Sequence, residues 1–244
     1  MKFSILTILT GTLLVTSLFV SLNQGEHSAA ETDRIVSAFT AKETEFRKAW
    51  AQYSIKRDAK IQTIGPGGQV SGEYQRTSRI AFDDTGKPLE KILFFPTSTL
   101  VGLAISTQDL DDLGGVQFFP LEASKVPLYN FKYVGKERID ELDLHVFDIS
   151  PKALPDAKRI KERFFQGRVW VDTEGNQIVK TRGKGVPEPK NAQFPTVEIF
   201  REEIDGFWFP TYAYADEELM LPGGYPLRIR MRVRFSEFEK ATRK

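Results

Sequence analysis

Apolar residues near the start of the chain recur with the period of a helix. Between about Glu31 and Tyr53, the residues Ile35, Val36, Phe39, Phe46, Ala49, Trp50 and Tyr53 fall on one stripe, while Lys42, Glu43, Glu45 and Lys48 fall mostly elsewhere. No proline interrupts the segment, so an amphipathic helix is expected, and it needs an apolar surface to lie against. Beyond Tyr53 the period drops from about 3.6 to about 2. Ile55, Ala59 and Ile61 alternate with Lys56, Asp58, Lys60 and Gln62 until Gly65-Pro66-Gly67-Gly68 turns the chain. Val70 to Phe82 makes a second strand, with Val70, Tyr74, Ile80 and Phe82 in one parity. Asp84-Thr85-Gly86-Lys87-Pro88 then reverses it into Leu89 to Phe95.

From Ser98 to Gly115 the pattern supports a short helix. Ser106 or Thr107 would cap it, Asp109, Asp111 and Asp112 would sit near its positive end, and Gly114 would terminate it after Leu113. The spacing of these acids does not match an EF-hand calcium loop. The second half reads as hairpins. Leu128 to Val134 is followed by Asp143 to Ile149, and Arg163 to Asp172 by Gln177 to Arg182. Thr196 to Ile204 and Phe207 to Ala215 flank Asp205-Gly206, a strong two-residue turn. Leu227 to Phe238 closes the chain.

Helices between strands, which parallel crossovers would need, are mostly missing. The expected fold is therefore mainly β with a few helices: an antiparallel meander of about ten strands, curved into an unclosed half-barrel whose concave face the helices cover. In the last strand Ile229, Met231, Val233 and Phe235 alternate with Arg228, Arg230, Arg232 and Arg234. The arginine row reads as a solvated outer face that also discourages edge pairing, or as a contact for anionic headgroups or a partner.

Charge narrows the function. Lys and Arg number 34 against 33 Asp and Glu, a net charge of +1, which argues against a nucleic-acid footprint. Cysteine is absent, which removes thiolate catalysis, disulfides, Cys-based metal sites and a lipobox. Met1 and Lys2 precede an uncharged stretch from Phe3 to Leu22, and Ser28-Ala29-Ala30 offers small residues for cleavage after Ala30. That is the layout of a signal peptide over residues 1–30; an uncleaved N-terminal anchor is the alternative, since the run could span ~30 Å of hydrocarbon. Both place residues 31–244, expected as a single domain, outside the cytoplasm.

Catalysis is poorly provided for. Past the leader the one histidine is His145, set in a strand and expected to be structural. There is no nucleophile elbow, zinc-protease helix or phosphate loop, and neither metal nor cofactor is implied. Asp216, Glu217, Glu202 and Glu203 could form a carboxylate pair for hydrolysis only if they converge. The Phe-Pro pairs at Phe95, Phe119, Phe194 and Phe209 mark strand ends, bulges or edges, because proline cannot donate to a ladder.

Four stretches carry a resemblance: Tyr133 to Leu142 (YVGKERIDEL), Phe165 to Asp172 (FQGRVWVD), Ile178 to Lys184 (IVKTRGK), and Arg201 to Gly206 leading into Phe209-Pro210-Thr211-Tyr212. Together they resemble the bacterial outer-membrane lipoprotein-sorting proteins, the LolA/LolB-like group, over roughly Tyr53 to the C-terminus. The resemblance implies an exported half-barrel with helices on its concave side, which carries lipid acyl chains or acylated lipoproteins across the periplasm. Without a lipobox cysteine the chain looks more like the soluble carrier than the anchored receptor. On this reading Val197, Ile199, Phe207 and Phe209, with Ile229, Met231, Val233 and Phe235, line an apolar cavity. A lipid-sensing adaptor of the same fold, bound to a membrane signalling protein, is the alternative.

Overall fold

The structure, a computed structural model, describes residues 28–83, 87–105, 121–154, 163–188, 195–221 and 224–241. Helix α1 runs Ala29–Trp50. Ser28 Oγ accepts the Glu31 N–H at 3.1 Å, and Arg47 and Lys48 lie in the last turn, so both helix ends are satisfied by local chemistry. The triplet expected to end the leader thus includes the cap of α1, and cleavage after Ala30 would remove it.

Ten strands follow: β1 Tyr53–Ile64, β2 Val70–Phe82, β3 Pro88–Phe94, β4 Tyr129–Ile139, β5 Leu142–Pro151, β6 Phe164–Asp172, β7 Ile178–Val186, β8 Val197–Ile204, β9 Phe207–Leu221 and β10 Tyr225–Lys240. They form one sheet in the order β3-β2-β1-β10-β9-β8-β7-β6-β5-β4, antiparallel throughout. The last strand pairs with the first, so β3 and β4 are left as edges and the sheet does not close. A 3₁₀ turn at Ala123–Leu128, not anticipated from sequence, leads into β4. The short helix expected after Ser106 or Thr107 lies outside the described residues.

Curvature has local causes. Register shifts occur at Thr77/Ser78, Tyr133/Gly135, Trp170/Val171 and Phe200/Arg201, and each bulge bends its strand. The last of these faces the Pro210–Tyr212 stretch, where Phe209-Pro210 suggested a break in the ladder. At the β8–β9 turn Asp205 and Gly206 both have positive φ, 50° and 81°, as the Asp-Gly pair predicts.

The core lies between α1 and one face of the sheet. Ile35, Val36, Phe39, Phe46 and Trp50 of the helix are buried with strand residues including Ile55, Phe147, Val169, Phe209 and Val233. One expectation for the helix needs correction: Glu43, read as lying off the apolar stripe, is 2% exposed. It follows Phe39 by four residues and precedes Phe46 by three, which is the helical spacing of one face. A second, smaller cluster of Leu144, Val146, Trp170 and Val179 packs with Trp208 apart from this core.

Candidate functional site

The face under α1 is an aromatic layer. Phe209 is its hub: Phe46 meets it edge-on at 5.2 Å, Trp50 stacks at 5.7 Å, Tyr53 lies at 4.8 Å and Phe238 at 5.2 Å. Nearer the helix start, Phe39 contacts Phe131 at 6.0 Å and Phe147 at 5.6 Å. Such ring pairs contribute about 0.5–1.5 kcal/mol each beyond area burial. Tyr53 donates its hydroxyl to Asp205, and burial together with that bond pushes its pKa up to about 12.

The structure brings the expected lining residues to this face. Val197, Ile199, Phe209, Met231, Val233 and Phe235 are buried in the same cluster as α1, and Phe207 is half-buried against it. Ile229 is buried further along β10, in the parity of Met231. All but Ile229 belong to or pack on the cluster that α1 shares with Leu100, Leu103 and Ile105, so anything that reaches them must first displace part of that cover.

The face that carries α1 also holds two ionic groups that the sequence reading passed over. Arg201 of β8 reaches up to Glu43 of α1 through two bonds, Nη1–Oε1 at 2.6 Å and Nη2–Oε2 at 3.1 Å, and its guanidinium lies 5.1 Å from the Phe46 ring centre. Both side chains are almost fully buried. Arg57 of β1 and Arg76 of β2 converge on Glu90 of β3, with Arg57 Nη2 at 2.8 Å from Oε1. Burial would raise the Glu90 carboxyl; the Ser78 hydroxyl and the two guanidiniums outweigh it and hold the group below its ordinary value. Parity was the available signal. Arg57 alternates in step with Ile55 and Ala59, and Arg201 in step with Val197 and Ile199.

Toward β3 the apolar layer emerges from under the helix. Phe95 packs on Tyr74 at 5.4 Å and lies 5.5 Å from the Arg76 guanidinium, yet is 50% exposed. Ile92, opposite Ser78 on the helix side, is similarly open, as are Leu93 and, on the reverse face opposite Ala81 and Thr77, Leu89 and Phe94; Val101 is more so. Leu100, Leu103 and Ile105 of the segment after β3 pack against the core beside them. Here, among the described residues, apolar side chains packed on the core also meet solvent.

The remaining candidates have ordinary partners. His145 is buried in β5, with Nδ1 3.3 Å from the Tyr133 hydroxyl. Asp216 is clamped by Arg228 at 2.8 Å and Arg230 at 2.9 Å; the Arg228 bond lowers its carboxyl, burial opposes this, and Arg230 reinforces it. Glu217 accepts the Thr196 N–H, while Glu202 and Glu203 are exposed. Glu73, Glu90, Asp216 and Glu237, the described carboxyls whose affinity for protons is displaced, are all displaced downward, whereas a general acid needs the opposite. The arginine row is split: Arg228 and Arg230 hold Asp216, and Arg234 lies 5.6 Å from the Tyr212 ring centre. Among the described residues no helix is long and apolar enough to cross a membrane, and no group of acids and histidines is placed to hold a metal.

Fold and face together define an unclosed antiparallel half-barrel with a helix packed on one side. No family model matches the chain, and no curated protein does. Solved structures similar to it include a DUF1329 family protein from Desulfovibrio piger, with 13% identity, 82% of this chain and 91% of that one covered, and a TM-score of 0.40. A LolA superfamily protein from Nitrosomonas europaea shares 15% identity over 87% of this chain and 94% of that one, at a TM-score of 0.37. MucB shares 11% over 86% and 94%, at 0.29.

Proposed function

We propose that the protein is a periplasmic carrier that binds lipid acyl chains or acylated lipoproteins on the helix-covered face of its sheet, in the service of outer-membrane lipoprotein sorting. The observation that carries this reading is the apolar layer that runs from beneath α1 to half-exposed side chains at the β3 edge. An acyl chain entering there replaces water at Ile92 and Phe95 and continues inward toward Met231, Val233 and Phe209 as α1 yields. Each buried methylene contributes ~0.8 kcal/mol, so a long chain supplies on the order of 10 kcal/mol, enough to offset a local rearrangement. In this scheme residues 1–30 are the export signal, residues 31–244 form one binding domain, and no cofactor takes part.

The test is native mass spectrometry on protein recovered from the periplasm without detergent. Bound lipid or acylated peptide is expected, and Ile92→Glu, at a half-exposed position, is expected to reduce it while leaving the fold intact. Val233→Arg, beneath the helix, is expected to abolish it. A clean apo mass with no uptake of added phospholipid or lipopeptide would sink the carrier reading.

The β3 edge also favours a second reading, an adaptor for a membrane signalling protein. β3 terminates the sheet and is apolar on both faces, which suits addition of a partner strand. A cargo-free pull-down that retains a specific inner-membrane protein would select it.

A further inference from the structure

On the side of the sheet away from α1, a depression of about 620 Å³ spans β4 to β7 and reaches Thr196 just before β8. Strand register builds its charged wall. Lys132 pairs with Asp148, Asp148 with Arg168, and Arg168 with Arg182. Directly opposed residues on adjacent strands share a face with Cβ atoms about 5 Å apart, so these four form one row across four strands. Gln166 and Lys184, paired two residues further along, project from the same face. All six line the depression. Between the two rows Gly167 faces Gly183, whose side-chain positions point to the opposite face, where a Cβ at Gly183 would meet the core ring of Phe165 at 2.5 Å.

The charges in this wall do not balance. Asp148 is taken by Arg168 through two bonds of 2.7 and 3.1 Å. Lys184 reaches Glu188 at 3.0 Å. Glu198, the register neighbour of Arg182 on β8, is held by Lys180 at 2.7 Å. Arg182 is exposed, and among the described residues neither it nor Lys132 has a carboxylate at ion-pair distance. Arg168 and Arg182 therefore stand directly opposite each other, with the bonded acid, Asp148, on the far side of Arg168, an arrangement that costs stability unless an anion offsets it. The chain as a whole carries only +1, so this excess is local.

We propose that this depression is a binding site for a phosphate ester, with Arg182, Arg168 and Lys184 seating the phosphate and Gln166 and Lys132 contacting the rest of the molecule. A guanidinium fork matches two phosphate oxygens at once, and a phosphomonoester carries close to two negative charges at neutral pH, which Arg182, without a carboxylate of its own, is placed to meet with Arg168 and Lys184 beside it. The volume falls in the range of small-molecule sites, about 300–1,000 Å³. The ester can be a soluble phosphorylated compound or a phospholipid headgroup, since both present the same group.

Calorimetric titration with glycerol 3-phosphate, and flotation with phosphatidylcholine vesicles with and without phosphatidic acid, test the site and separate the two sources. Binding in either arm is expected, and Arg182→Ala, an exposed position that leaves the fold intact, is expected to weaken it about tenfold or more. Arg232→Ala, removing an exposed cation on β10 outside the depression, is expected to change nothing. The proposal is overturned by absence of binding in both arms, by equal affinity for the carboxylate glucuronate, or by equal effects of the two substitutions.

Discussion

Arg201 and Glu43 lie 158 positions apart and meet as a two-point ion pair with almost no access to water. Removing two charges from water is costly, and their mutual attraction roughly offsets that cost; removing one partner leaves the other buried and unpaired. Glu43→Ala is therefore expected to destabilise the fold by about 3–5 kcal/mol in denaturant unfolding, while replacing both partners with apolar residues of similar size recovers most of the loss. A loss well under 1 kcal/mol for the single change would mean that water reaches the pair. Asp216 behaves differently because it sits nearer the surface. Its folded-state pKa lies below the unfolded value of about 3.9, so its contribution is present above that pH and disappears as pH falls through the folded value. Asp216→Asn should lower stability at neutral pH, where the carboxylate's contribution is fully present, leave the most acidic pH nearly unchanged, and so flatten the acid limb below about pH 4. An unaltered limb would show that the Arg228–Asp216–Arg230 clamp contributes nothing to the folded state.

At the scale of elements, the segment after β3 is fastened to β2 at one close approach. Thr99 donates its N–H to the Glu73 carbonyl at 2.9 Å, and the Glu73 N–H returns to Thr99 Oγ1 at 2.9 Å. Gly72 permits this, since a Cβ there would lie 2.4 Å from the Thr99 carbonyl oxygen and 2.8 Å from the Leu100 Cα. Backbone cannot rotate aside as a side chain can, so Gly72→Ala is expected to cost about 1–3 kcal/mol and to loosen the 96–105 segment. Hydrogen exchange at Thr99 reads the second effect; unchanged protection there would show that the segment is held by its apolar residues instead. Helix α1, by contrast, is secured by its ends and its stripe. The basic last turn, the Arg47–Glu122 pair and the aromatic layer each act on it, joined by the Ser28 cap only where residues 1–30 are retained. Lifting it must break several of these together, which sets a threshold that a short or polar ligand would not reach.

Taken whole, the molecule is a sheet with two unequal faces and two edges. The face under α1 gathers the apolar side chains and, at the β3 edge, opens to solvent through Ile92 and Phe95, where cargo uptake is expected and where Ile92→Glu should impair it. The opposite face carries the cross-strand charge rows and the depression over β4 to β7. Both sites depend on the same curvature, and neither uses the other's residues, so loss of acyl binding and loss of phosphate-ester binding should be separable by mutation.

Periodicity is local, which is why the sequence by itself determined so much of this fold. The stripe from Ile35 to Trp50, the two-residue alternation in β10 and the turns at Asp205-Gly206 and Gly65 to Gly68 are each set within a few residues. Alternation also placed Val197, Ile199, Met231 and Val233 on one inward face before any partner was known. Tertiary structure alone decided which strands are neighbours. The pairing of β10 with β1 joins the two ends of the sheet's chain path, and nothing in either strand's pattern names the other. The same holds for the polar groups. Parity marks Arg57 and Arg201 as inward, but their acids, Glu90 and Glu43, come from a distant strand and a helix. The Lys132–Asp148–Arg168–Arg182 row exists only once four strands are in register. A residue's direction follows from its own backbone; its counter-ion follows from the packing of the entire chain.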